Sequence, residues 1–303
     1  MKKTSETIVF FGSGPVAAGS LDFLSGHFSI EAVITKSVPA HHKESAPVET
    51  LAEQKGLPLF FANTKVELDE LIQKQSFSSR LGIIVDFGVI VSQQTIDAFE
   101  LGILNSHFSL LPEWRGADPI TFAVLSGQKK TGVSLMLIEP TLDTGKLLAQ
   151  RSLTINNGET TPSLTRRFIE FSNQLLLEYV PQYLANSLTP RSQPHPDRAT
   201  YSRKLTKQDG LIDWEKSADQ IEREIRAFLG WPGSYSELAG KKVTVTKAHV
   251  VNEAGTPGTT TVKDKQLIVY CGEKALVIDT LKPDGKRDMN AQDFIAGHKH
   301  LLG

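Results

Sequence analysis

Hydrophobic residues in the first half of the chain fall into short runs, separated by longer stretches where they recur every three to four positions. TIVFFG (7–12), IEAVIT (30–35), LGIIVDF (81–87) and TGVSLMLI (131–138) are nearly continuous runs, and GILNSH (102–107) opens in the same way. Strands without polar alternation are those covered on both faces. Between the runs, helical spacing predicts helices over 15–24, 47–56, 65–75, 92–100 and 118–127. Pro47 lies near the first turn of one helix with Gly56 past its end, and Ser92 is placed to cap another. Strands alternating with helices predict an α/β domain with a Rossmann-like, mostly parallel sheet. Ligands of such sheets sit at the carboxyl ends of the strands.

The pattern changes further on. Residues 160–186 predict a long helix, with Thr161 as N-cap and Pro162 in its first turn. Residues 187–207 carry three prolines and little periodicity, and read as a linker. Ser217 and Gln220 then predict a capping box for a helix bearing Ile221, Ile225 and Phe228 on one face and closing at Gly230. After it come KKVTVTKAHVV, TTTVKD, QLIVYC and ALVIDTLK, short strands between turn residues, which predict a small β-barrel of OB-like type. The expected division is a catalytic domain over 1–188, a linker over 189–207 and a C-terminal barrel over 208–303. No internal repeat or low-complexity tract interrupts it.

Composition narrows the function classes. A chain of 303 residues, 40% hydrophobic and 22% charged, has length for two ordinary globular domains. A net charge of -1 argues against a strongly basic nucleic-acid coat but allows a local basic face. Residues 201–303 hold 16 Lys and Arg against 14 Asp and Glu, a slight positive excess. The single cysteine, Cys271, excludes an internal disulfide and a multi-cysteine zinc site, and the simple expectation is a reducing, cytoplasmic setting. The opening MKKTSETIVFFGSG has only a four-residue apolar run, too short for a signal-peptide core or a membrane span.

Candidate chemistry lies in LNSHFSLLPEWRGADPI (104–120). Asn105 and His107 share one side of an extended strand. Asp143 follows the 131–138 strand, in EPTLDTGKLL. If those two strands are neighbours, both ends open onto one crevice. An acid beside an imidazole fixes its tautomer and stabilises its cation, and an amide NH2 is a standard donor to an oxyanion. With no Ser or Cys nucleophile among them, the three point to direct acyl transfer to an amine, without a covalent enzyme intermediate. Plainer roles stay open: a solvated strand-end histidine, and an aspartate that caps a turn. Gly12 to Ala17 spell G-x-G-x-x-A, either a dinucleotide fingerprint or the first strand-to-helix turn of the sheet, the latter preferred.

NSHFSLLPEWRGADPI resembles the N-x-H-x-S-L-L-P-x-x-R-G-A-x-P-I signature of folate-dependent formyltransferases, and GVSLMLIEPTLDTGKLL resembles their second signature, ending in LDTG. ATYSRKLTKQDGLIDWEKSADQIEREIRAFLGWPGSY and LKPDGKRDMNAQDFIAGH are similar to the C-terminal domain of the methionyl-tRNA branch. The resemblance implies formyl transfer from 10-formyltetrahydrofolate to the α-amine of methionine on initiator tRNA; the chain is separately expected to be cytoplasmic and monomeric, with no membrane partner and no metal. It implies that Asn105 holds the oxyanion, that His107 stabilises the intermediate and moves protons, and that Asp143 orients and supports His107. Ser109, Leu110, Leu111 and Pro112 would line the folate site, and the DFGVI segment, with Phe87, Gly88 and Ile90, would read the pterin ring. Arg115 and Gly116 would shape the loop.

The chain departs from the family pattern in places. Gly-Ser-Gly-Pro stands where Gly-Thr-Pro is usual, Asp118 replaces a small residue and is placed to cap the next helix, and Glu139-Pro140-Thr141 is an unusual approach to LDTG. The tRNA branch carries an arginine-rich loop after the second strand. Here KSVPAHHKESAPV (36–48) has none, so Lys36, His41, His42 and Lys43 are either phosphate contacts or a solvated loop. Adjacent His41 and His42 diverge and have no third ligand, so no metal is expected. Lys204, Lys207, Lys241 and Lys242 are the candidate tRNA contacts in the second domain. Alternative functions are a formyltransferase for a small amine such as a nucleotide-linked amino sugar, an RNA-binding protein without turnover, and, remotely, a nicotinamide oxidoreductase.

Overall fold

The computed structural model describes residues 6–38 and 46–298. The chain divides into two compact units, one formed by residues up to 119 with 130–154 and 165–202, the other by 120–129, 155–164 and 203 onward. Among the described residues, no helix is long and apolar enough to cross a membrane.

The first unit is built on a seven-stranded sheet. In chain order its elements are β1 (Thr7–Phe11), α1 (Pro15–Ser25), β2 (Ser29–Thr35), α2 (Pro47–Gln54), β3 (Leu59–Phe61), α3 (Lys65–Lys74), β4 (Gly82–Ile84), α4 (Gln93–Asp97), β5 (Ile103–His107), the two-residue β6 (Arg115–Gly116), then, after α5 (Pro119–Ser126), β7 (Lys130–Leu137) and β8 (Leu147–Thr154). The sheet order is β3-β2-β1-β4-β5-β7-β8. Strands β1 to β5 run parallel, whereas β7 is antiparallel to β5 and β8 to β7. The apolar runs are as buried as their lack of alternation requires, with Val9, Phe10, Phe11, Val33, Ile34 and Ile83 wholly inaccessible. Ser92 caps α4 as expected, accepting from the Thr95 N–H. Two strands, β3 and β8, escape the pattern: β3 has only three residues, and β8 alternates at its solvent end.

The antiparallel pairing corrects one expectation. β5 and β7 are neighbours, but His107 lies opposite Ser134 and Leu104 opposite Leu137, so their carboxyl ends point in opposite directions. The strand ends themselves therefore do not open onto one crevice. The helix α6 (Thr161–Leu184) also starts one residue earlier than read: Thr160 is the cap, exchanging hydrogen bonds with Ser163, while the Thr161 hydroxyl donates to the Ala227 carbonyl. The residues read as a linker divide between the units, 189–202 in the first and 203–207 in the second. Arg191 pairs with Leu147 through both backbone groups, and β9 (Tyr201–Ser202) lies parallel to β6.

The second unit contains α7 (Ala218–Ala227), β10 (Ser234–Leu238), β11 (Lys241–Val251), β12 (Thr260–Lys263), β13 (Gln266–Tyr270), β14 (Ala275–Pro283), β15 (Met289–Asn290) and α8 (Ala291–His298). All strand pairs are antiparallel, in the order β10-β11-β14-β13-β12 with β15 on β14. Register shifts around Lys247 curve the long β11. The core joins Ile221 and Ile225 of α7, Phe294 of α8 and alternate strand residues such as Val243, Val245, Leu267 and Leu276. At α7, Ser217 accepts from the Gln220 N–H, but the Gln220 side chain donates to Glu224, so only half of the expected capping box forms.

Candidate active site

The end of β5 presents its two polar side chains on one face, as period-two geometry requires. Ser106, between them, points the other way and hydrogen-bonds Ser172 of α6 at 2.6 Å. His107 is 6% exposed, and its Nε2 lies 3.0 Å from the Trp114 carbonyl oxygen. A carbonyl only accepts, so Nε2 carries the proton of the neutral ring. Its Nδ1 then presents a lone pair, 3.8 Å from Oδ2 of Asp143. Burial pushes the His107 pKa down, while the Asp143 carboxylate and the Trp114 carbonyl push it up; burial is the largest of these effects. His107 is thus a neutral base whose cation finds an acceptor at each nitrogen. Asn105 is half-buried, and its carboxamide has no hydrogen-bond partner among the described residues. It is therefore free to donate to a ligand.

Asp143 reaches His107 through the nine-residue return between β7 and β8. The Gly116 N–H donates to Asp143 Oδ2 at 2.7 Å, and the backbone at Asp143 is left-handed, with φ 51°. Gly145 permits the return to close: a Cβ there would lie 1.7 Å from the Leu137 carbonyl oxygen. The residues picked out by sequence spacing do approach one another, but the loop, rather than aligned strand ends, brings Asp143 to His107.

The Ser109–Pro112 segment is held from beneath. Ser109 is fully buried, and its hydroxyl donates to the Glu113 carbonyl. Ser134 donates to the Ser109 carbonyl and accepts from the Leu111 N–H, and Gln150 donates to the Leu111 carbonyl. Leu111 and Pro112 are buried, so Leu110 is the half-exposed side chain of the four. In DFGVI, the Phe87 ring packs edge-on against Phe11 and its carbonyl accepts from the Ser13 hydroxyl. The exposed Gly88 and Ile90, the latter 76% accessible, are the members open to a ligand.

Beside them is a cleft of about 350 Å³, lined by Ser13, Gly14, Lys36, Asp86, Phe87 and Gly88 among others. It lies at the ends of β1, β2 and β4 and does not include Asn105 or His107. Desolvation raises the Asp86 pKa, opposed by the charge of Lys36 and reinforced by Asp118. The glycines of the G-x-G-x-x-A turn serve packing: a Cβ on Gly12 would meet Ala17 at 2.5 Å, and one on Gly14 would meet Asp86 at 2.4 Å. His41, His42 and Lys43 lie outside the described residues. The described residues contain no cluster of three or more potential metal ligands.

Residues 8–180 match the formyl transferase family model, and residues 204–299 match the model of the formyl transferase C-terminal domain. The methionyl-tRNA formyltransferase of Methylococcus capsulatus is 36% identical over 298 residues, covering 96% of each chain. The chain belongs to the methionyl-tRNA formyltransferase family. The enzyme of the same name from Paramagnetospirillum magneticum is 33% identical, again over 96% of both chains. Two solved structures share the fold at low identity. HypX from Aquifex aeolicus, solved with tetrahydrofolic acid, has a TM-score of 0.67 at 15% identity, with 99% of this chain and 48% of that one covered. An N-formyltransferase from Helicobacter canadensis, solved with folinic acid and dTDP-3-aminofucose, has a TM-score of 0.68 at 18% identity over 91% and 98%.

Sequence reasoning missed the residues that hold the signature loops of this family, above all Gln193 and Ser134. Both are buried polar side chains bonded to backbone across 23 residues or more. No local pattern signals such contacts.

Proposed function

We propose that the chain transfers the formyl group of 10-formyltetrahydrofolate to the α-amino group of methionyl-initiator tRNA, acting as a cytoplasmic monomer. The observation that carries this reading is the Asn105–His107–Asp143 arrangement, within a chain that matches the tRNA-formylating relatives through the C-terminal domain as well as the catalytic one. The folate supplies an electrophilic formyl carbon. Asn105 offers a carboxamide N–H with no partner among the described residues, suited to the oxyanion formed when the amine attacks that carbon. The attacking amine must lose a proton as the new C–N bond matures, and the folate nitrogen must gain one as its C–N bond breaks. His107 Nδ1 takes up the first proton and Asp143 stabilises the resulting imidazolium. The same ring can then return the proton to the leaving nitrogen, so the step balances without another base. A free α-amine titrates near pH ~8 and is partly neutral under physiological conditions. Most of the acceleration therefore comes from positioning and from the oxyanion donor.

Ser109 to Pro112, Gly88 and Ile90 form the proposed folate site, with the buried members setting the loop and the exposed ones meeting the ligand. In the second unit, Lys204, Lys241 and Lys242 are exposed and free to meet phosphate. Lys207 is more committed, donating to the Pro232 carbonyl at 3.2 Å and lying over the Tyr235 ring.

The test supplies the full chain with 10-formyltetrahydrofolate and methionine-charged initiator tRNA, with charged elongator tRNA, free methionine and an amino-sugar nucleotide in parallel. Rapid formylation of the initiator tRNA alone is expected. Transfer only to the amino sugar would overturn the tRNA assignment while keeping the chemistry.

A further inference from the structure

We propose that Gln193 is a positioning residue for Asp143, its carboxamide tying the turn that carries the aspartate to the buried guanidinium of Arg115. The inference rests on Asp143 being the working partner of His107. Gln193 and Arg115 are only 8% and 7% exposed. Arg115 Nη2 donates to Gln193 Oε1 at 2.7 Å. A guanidinium cannot accept, so this contact fixes which end of the carboxamide is oxygen. Nε2 then donates to two carbonyl oxygens, those of Asp143 at 2.7 Å and Gly145 at 3.0 Å. Both ends of the carboxamide are engaged, and all the partners belong to the two signature loops.

The need for such a clamp is visible in the backbone. Asp143 is left-handed, a conformation that costs a non-glycine residue free energy, although aspartate tolerates it better than most. Its carboxylate is fixed by the Gly116 N–H. Gly116 is held in turn by Ser202, whose carbonyl oxygen would lie 2.2 Å from a Cβ at that position. The segment 191–202 thus runs between the loops, bonding Leu147 at one end and Trp114 to Asp118 at the other. Gln193 is the side chain on this segment that reaches both loops. The buried Arg115 Nε has no partner among the described residues, while Nη2 of the same guanidinium finds its acceptor in Gln193.

The experiment compares wild type, Gln193→Met, Gln193→Glu and Asp143→Asn as full chains. Formyl transfer to methionyl-initiator tRNA gives kcat and KM separately, and NMR follows the His107 titration. Gln193→Met should lower kcat about tenfold or more with little change in KM, since small misplacements of a reacting group are costly. It should also move the His107 titration downward, in the direction produced by Asp143→Asn. The Gln193→Met/Asp143→Asn double variant should be no slower than Asp143→Asn, because one residue acts through the other. Gln193→Glu keeps the volume and the arginine contact but turns a carboxylate toward two carbonyl oxygens. It should be slow at neutral pH and gain relative to wild type as acid returns a proton to donate, which a loss of folding would not reproduce. Wild-type kcat in both Gln193 variants, with an unmoved His107 titration, would overturn the proposal. If the wild-type chain transfers nothing to tRNA, the proposed function fails, while the His107 titration still decides the role of Gln193.

Discussion

Left-handed residues other than glycine occur in both units, and for different reasons. In the second unit, Ala239 precedes Gly240 between β10 and β11, and Asp264 precedes Lys265 between β12 and β13. These are two-residue hairpin turns, where positive φ at both positions matches the twist of the strands. Adjacent strand pairing supports the conformation. In the first unit, Asp86, Trp114 and Asp143 are left-handed in loops where no hairpin requires it. Each is pinned by distant groups instead. The Asp86 carbonyl accepts from the Ser13 N–H, the Trp114 N–H donates to the Thr200 hydroxyl, and the Asp143 carbonyl accepts from Gln193. Local topology therefore accounts for strain in the second unit, and long-range polar contacts account for it around the site. The first kind supports a fold, whereas the second holds chemical groups where unaided loops would not keep them.

Substitutions of matching severity separate the two regions. A Cβ at Gly145 would strike the Leu137 carbonyl at 1.7 Å, and one at Gly272 would strike the Glu215 carbonyl at 1.9 Å. Gly145→Ala is expected to cut kcat by roughly 100-fold, because it displaces the loop that carries Asp143. Gly272→Ala should destabilise to a similar degree but leave kcat per folded molecule near wild type. Thermal melting alongside single-turnover rates checks both, and equal kcat losses would remove the distinction.

A smaller effect follows from the buried histidine. Its folded pKa lies below the ordinary value, so as pH falls through ~6.5 the unfolded chain binds a proton before the folded chain does. The stability contribution is complete above the unfolded pKa and declines as pH drops toward the folded one. Melting temperatures between pH 7.5 and 5 should show this decline, made shallower by His107→Gln. The smallest effects belong to the exposed lysines of β11. Lys241→Ala and Lys242→Ala should each raise KM for tRNA and reduce the salt slope by about one counterion, with kcat unchanged.

The sequence made the regular parts readable because burial and periodicity are local signals. The runs at 7–12 and 81–87, the Ser92 cap and the turn-separated strands after 240 all have causes within a few residues. Asn105, His107 and Asp143 were legible through motif chemistry and resemblance to a family. Their assembly was less legible. Nothing near residue 131 announces that β7 runs against β5, and a polar segment with three prolines gives no sign that Gln193 is buried against two loops. Buried polar contacts at long range leave no periodic trace, and the site depends on them.

On the proposed function, three side chains brought together by a returning loop carry out the transfer. The most direct measurement is single-turnover formylation of methionyl-initiator tRNA by Asn105→Ala, His107→Ala and Asp143→Ala. Each should lose about 100-fold or more in rate, the size seen when an oxyanion donor is removed, while still binding both substrates. Near-wild-type rates in all three would show that these side chains do not carry the transfer.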